Sequence, residues 1–264
     1  MAAATLRMPL RTSLQVPGKA GRIVKDYVFD LYFRAQRLSW WQRVRCTPML
    51  LLVEFMVYRV DAVAEHAKHV NLDAASNNDH ESVRRYKATF EAYKTKFEAL
   101  LRRAHAHTDA VARQLDLGEQ YVYLENKVTS NREASHAEVL RLAELRPSDV
   151  RLLHAMTFAL LGRPVDKDLL DLFWPVEVLA DIGNDLEHYH DDVAAGRFNI
   201  YDAFVRLYGE AAPERLRAEI SRYEQLFDAA LAKFPWNRQP ELFALCTHRY
   251  RGRTQVFPEP QLQH

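Results

Sequence analysis

The stretch Asp181–Asn199, DIGNDLEHYHDDVAAGRFN, sets Asn184, His188 and Asp192 at intervals of four, with Asp181 and Asp185 interleaved one turn apart. Residues four apart share a helix face, so these three make a polar stripe. Oxygen donors with an imidazole among them suit a hard divalent cation. The same spacing also describes a solvated acidic helix face, and the choice between the two depends on the rest of the chain.

Working outward, Asp166 reads as the cap of a helix that runs to about Ala195, with Pro175 as a kink and Gly196 as a stop. Upstream, helical patterns cover Glu119–Lys127, Ala134–Leu145 and Val150–Leu161, punctuated by Gly118, Arg146-Pro147-Ser148 and Gly162-Arg163-Pro164. Glu81–Asp116 has neither Gly nor Pro and carries Tyr86, Phe90, Tyr93, Phe97 and Leu101 as an apolar stripe, so it reads as one long outer helix. Ile23–Val44 is amphipathic with a break near Ser39, and Thr47-Pro48 reads as the cap and first position of the next helix. Downstream, Ile200–Tyr208, Pro213–Lys233 and Asn237–Tyr250 complete the set, followed by a basic tail. The expectation is an all-α protein: residues 23–264 form a single-domain bundle of about ten helices around a central apolar cavity.

Composition supports this class. Eight glycines in 264 residues are few, and no run of segments alternates as strands do. Lys plus Arg number 36 against 35 Asp plus Glu, so net charge does not argue for nucleic acid. The longest apolar run, Met49–Val53, is far short of the roughly twenty residues of a membrane span. Cys46 and Cys246 are far apart and form no metal-type pair, which points to a reducing, cytoplasmic setting. Residues 1–22 hold Arg7, Arg11, Lys19 and Arg22 and no acid, with Pro9 and Pro17 interrupting a poor apolar pattern; they read as a disordered basic lead-in rather than a targeting peptide.

A second acidic set lies on the helix opened by Pro48. Glu54, Asp61 and Glu65 are spaced by seven and four inside or just after an apolar segment. Carboxylates there need a cation or a basic partner; Arg59 and Arg151 are candidates for an internal ion-pair network. Alternatively they form a second metal-binding wall, facing the Asn184 stripe across a cavity lined by Phe55, Tyr58, Phe158, Phe173 and Trp174.

The combination resembles bacterial class I terpene synthases of the isoprenoid synthase superfamily. Their second metal motif reads Asn-Asp-Leu-x-Ser-x-x-x-Glu, with a Gly four residues on and an Asn-bearing turn. Asn184, Asp185 and Leu186 match; His188 stands for Ser or Thr, Asp192 for Glu, and Gly196 and Asn199 follow at or within one residue of their places. Asp61 and Glu65 resemble the aspartate-rich motif with its first Asp replaced by Val60, and Arg249-Tyr250 is similar to the Arg-Tyr pair that holds diphosphate. The resemblance implies Mg²⁺, with Mn²⁺ as a substitute, bound by Asp61, Glu65, Asn184, His188 and Asp192. Arg249 and Tyr250, with Arg141 (or Arg146) as diphosphate sensor, would hold the leaving group of a C10–C20 prenyl diphosphate. Phe55, Tyr58, Phe158, Trp174 and Asp185 would line the substrate pocket. In such enzymes the metal and cationic side chains neutralise departing diphosphate, and aromatic faces stabilise the allyl cation. The resemblance also leaves room for a homodimer.

Three other readings stay open. Asp61-x-x-x-Glu65 and Asp181-x-x-x-Asp185 look like the paired motifs of squalene and phytoene synthases, which condense two prenyl diphosphates. The departures from the metal motifs suit a non-catalytic protein of the same fold that binds prenyl diphosphate or a partner. A carboxylate-bridged di-iron site would draw on Glu54, Glu65, Asp181, Asp185, His188 and His190, although Glu187-x-x-His190 supplies only one of the two Glu-x-x-His pairs such bundles use.

Overall fold

The computed structural model describes residues 10–74, 80–130 and 134–262, with side chains described at 17–59, 91–92, 94–125, 127–129 and 134–262. Every regular element among the described residues is helical. The chain gathers into two compact units. The first takes Met1–Val111 with Leu153–Pro164, the second Ala112–Leu152 with Val165–His264.

The first unit begins with α1 (Leu10–Ile23). Helix therefore starts within the stretch expected to be a disordered lead-in. Ala20 is buried, Lys19 lies over the Tyr58 ring at 6.0 Å, and α1 packs along α3 (Trp40–Ala74). Ala20, Val24, Tyr27 and Val28 fall at steps of four, three and one, so they give the segment one buried face. From Val24 to Tyr32 the backbone widens into a π-helix, closed by the Phe33 N–H donating to the Val28 carbonyl, five residues back. Val24, Val28 and Tyr32 then line up every fourth residue, and all are buried. A short turn, α2 (Phe33–Ala35), follows.

The break expected near Ser39 is present, but its cap is not Thr47. The Ser39 N–H donates to the Gln42 side chain (2.9 Å) and the Ser39 hydroxyl accepts from the Gln42 N–H (3.5 Å), a reciprocal capping pair. α3 therefore starts at Trp40 and passes through Pro48. Thr47 turns its hydroxyl back to the Arg43 carbonyl (2.7 Å) instead of capping.

The long outer helix is two helices. α4 (His80–Arg103) stops before a turn in which His105 adopts φ 53°, and α5 (Asp109–Ser130) then runs straight through Gly118, where a turn was expected. Of the expected α4 stripe, Phe97 and Leu101 are buried; Tyr86, Phe90 and Tyr93 lie outside the described side chains.

The second unit is built on α8 (Lys167–Glu187), opened by the Asp166 side chain accepting from the Leu169 N–H at 3.1 Å. Leu169, Leu172, Phe173, Val176, Val178, Leu179, Ile182 and Leu186 are buried, so α8 is apolar nearly all round, as befits an interior helix. It packs chiefly on α11 (Ala212–Leu231), and also on α6 (His136–Leu145), α10 (Ile200–Tyr208) and α12 (Gln239–Thr247). α6 opens with a capping box between Ser135 and Glu138. α7 (Ser148–Leu160) contributes to both units. Its first turns carry Arg151, which pairs with buried Glu177 of α8 at 2.9 Å. Its later turns carry His154, stacked on Tyr32 at 4.4 Å and 5°. Arg151 is thus Glu177's partner.

Candidate functional site

The motif stretch folds as α8, a break at His188 (φ −108°, ψ 14°) and a short helix α9 (Tyr189–Ala194). The expected single helix to Ala195 is thus interrupted. The register survives, because the His188 N–H still donates to the Asn184 carbonyl (3.0 Å) and the Asp192 N–H to the His188 carbonyl (2.9 Å). α9 then closes at Gly196, φ 62°: the Gly196 N–H donates to Val193 and the Arg197 N–H to Asp192. That left-handed turn costs glycine nothing and other residues strain. It delivers Asn199 back to the motif.

Asn199 is the hub. Its amide donates to the Asp185 carbonyl (2.7 Å) and the Asp192 carboxylate (3.0 Å), while its oxygen caps α10 by accepting from the N–H groups of Tyr201 (3.0 Å) and Asp202 (3.2 Å). Asp192 also accepts from Arg197, at 2.9 Å from Nε and 2.8 Å from the terminal nitrogen. Both of its oxygens are therefore engaged. Asp185, fully buried, accepts from Arg146 through both oxygens (2.6 and 2.7 Å) and from the Ile200 N–H at 2.8 Å. It ties α8 to the residue after α6 and to the start of α10.

Around Arg146 the structure adds Asp149, which spacing did not reveal, to Asp181 and Asp185. Burial pushes the Asp181 carboxyl up to about 7; Arg146 opposes the shift, while Asp149 and Asp185 add to it. Burial likewise raises Asp149 and Asp185. Arg146 stays charged because the same carboxylates outweigh its own burial. The guanidinium beside the motif is thus Arg146. Arg141, which the resemblance offered alongside Arg146 as the sensor, is exposed and reaches the Gln120 side chain (3.2 Å) and Glu144 (3.8 Å).

Other expected residues separate in the same way. His188 is exposed, with Nδ1 3.0 Å from the Asn184 carbonyl oxygen, and His190 Nδ1 lies 2.9 Å from the Gln261 amide. Tyr250 is buried and burial raises its phenol to about 12, with Glu224 adding to the effect; Arg249 is half-buried beside it. Trp174 packs edge-on to Tyr223 (5.8 Å, 73°) with the Arg151 guanidinium 5.9 Å from its ring. In the first unit Phe158 is core, 5.3 Å from His154, while Phe55 and Tyr58 are half-buried. Glu54 is fully buried. The side chains of Asp61 and Glu65 lie outside the described residues.

Two of the donors expected for Mg²⁺ already have protein partners. Asp192 is committed to Arg197 and Asn199, and the His188 ring nitrogen faces a backbone carbonyl. Among the described residues no group of three or more His, Cys, Asp or Glu is placed to hold a metal ion.

One further feature belongs to the motif. A Cβ on Gly183 would sit 2.7 Å from the Cβ of Arg253, so the C-terminal tail crosses α8 where only glycine leaves room. Arg253 reaches Glu187 at 3.3 Å. Beyond it the Pro258 carbonyl accepts from the Tyr201 hydroxyl (2.8 Å), and the Gln261 N–H donates to the Tyr189 hydroxyl (2.9 Å). No family model matches the chain, and no curated protein or solved structure matches it significantly.

Proposed function

We propose that the protein is of the class I isoprenoid-synthase type and binds a prenyl diphosphate, with the Asp181–Asn199 segment as one wall of its site. The observation that supports this best is the preserved register of Asn184, His188 and Asp192 across the break at His188, with Asn199 folded back onto Asp185 and Asp192. That is the order of residues on which the resemblance rests. The engagement of Asp192 by Arg197 and Asn199 favours binding without turnover over the Mg²⁺-dependent terpene synthase reading.

The test is a thermal-shift titration of the full chain with geranyl, farnesyl and geranylgeranyl diphosphates, with and without Mg²⁺ or Mn²⁺, alongside an assay of diphosphate release. A rise in melting temperature with at least one of them and no release is the expected result. Metal-dependent release with a single substrate would establish a terpene synthase instead, and a head-to-head product from two substrates a prenyl-condensing enzyme. No shift with any of the three would sink the diphosphate reading altogether.

A further inference from the structure

Trp40 and Trp41, at the start of α3, are 64% and 75% exposed, and Val44, Leu51 and Leu52 are exposed further along it. With exposed Pro48 they recur at steps of three and four, which places them on one side of the helix. The stripe is roughly 18 Å long at helical rise. The other side of the same turns, Cys46, Leu50, Val53 and Glu54, is buried. α3 is thus anchored by one face and turns a second apolar face outward, where a helix of a soluble protein ordinarily carries polar groups.

Along the chain, the charge flanking this stripe is of one sign. From Leu31 to Val53 the chain has four arginines, Arg34, Arg37, Arg43 and Arg45, and no acidic residue. Arg45 and Arg59 are exposed at helical spacing from Trp41 and Leu52, within the apolar side itself, and Arg34 and Arg37 are exposed just ahead of it. Trp40 and Trp41 meet edge-on (4.6 Å, 74°) at the end of the stripe.

We infer that this face of α3 docks on an anionic lipid surface. Charge selects that occupant. A second copy joined through the same patch would set each molecule's arginines against its partner's, because a two-fold contact pairs a patch with itself. An anionic bilayer satisfies both parts of the face. Its headgroups meet the arginines, its acyl boundary takes Val44, Leu51 and Leu52, and the indoles sit at the level between. No helix among the described residues is long and apolar enough to cross a membrane, so the attachment is interfacial. This inference stands whether or not the diphosphate reading holds.

The test is flotation of the full chain with vesicles of phosphatidylcholine alone and of phosphatidylcholine mixed with phosphatidylserine. Binding is expected on the mixed vesicles, with a blue shift of tryptophan emission and release by added salt. Trp40→Ser with Trp41→Ser should weaken binding roughly tenfold or more without changing helix content, and Arg45→Gln should weaken it roughly fivefold. Absence of flotation on both vesicles, or undiminished binding by the double tryptophan variant, overturns the inference. So does a dimer in solution that the tryptophan changes dissociate, which would assign the face to a second copy.

Discussion

Asn199 joins three elements through one side chain, and its replacement separates packing from charge. Asn199→Ala removes the α10 cap and leaves the buried Asp185 carbonyl and Asp192 carboxylate short of a donor. A lost cap and a stranded buried acceptor together cost about 3 kcal/mol, to be read from urea unfolding. Asn199→Asp keeps the cap but sets a carboxylate against Asp192. Its deficit should be largest at neutral pH and shrink in acid as the pair takes up a proton; a deficit independent of pH would show that Asp192 is not its neighbour. Asp181 has the same sign of linkage. Its folded carboxyl titrates near 7, well above an unfolded aspartate, so its contribution to stability is fully present in acid and is lost as pH rises toward 7. Asp181→Asn should flatten the fall in stability between about pH 4 and pH 7, measured by denaturant midpoints across that range. At this scale the sequence displayed the i, i+4 spacing of Asn184, His188 and Asp192, because spacing is local. It could not display that Asp185 belongs to Arg146, a partner 39 positions away, and so Arg141 looked as good a sensor.

At the scale of elements, helix existence was legible, as were both ends of α10, and the ends that were missed have an identifiable reason. The turns in the first unit are set by residues that ordinarily do not stop helices. Arg37 and His105 both take positive φ in turns closed by the same pair of backbone bonds that Gly196 makes after α9. Reading for glycine finds Gly196 and overlooks His105, and reading Pro48 as a start overlooks the Ser39–Gln42 capping pair. His105 is exposed, so glycine there removes the left-handed strain without losing packing. His105→Gly should stabilise the protein by about 1 kcal/mol, checked by chemical denaturation, whereas a loss would show that the side chain holds the turn. The crossing of the tail over α8 makes the opposite demand. Gly183→Ala puts a methyl group within 2.7 Å of Arg253, so the tail must lift. Trypsin should then cut at Arg251 and Arg253 markedly faster than in the parent chain, while α8 itself, gaining a better helix former, stays resistant.

For the whole molecule, the all-helical class was legible from periodicity, but the grouping of helices was not, because the first unit is discontinuous in sequence. Its main body ends at Val111, yet it takes Leu153–Pro164 from beyond the α5–α6 region. That segment supplies His154, which burial holds neutral by pushing its imidazole down to about 3, stacked on Tyr32 and backed by Phe158. A histidine kept uncharged against aromatic rings is a core residue, and residues 1–111 alone lack it. Each apolar side chain of this kind is worth about 2 kcal/mol on burial, set against net stabilities of only about 5–15 kcal/mol for whole domains. A fragment ending at Val111 should therefore show helical circular dichroism but melt without a sharp transition. The full chain should unfold cooperatively, and His154→Asp, which forces a charge beside Tyr32, should lower its midpoint steeply. A cooperative melt of the fragment at the parent temperature would show instead that α1 to α4 need nothing from α7.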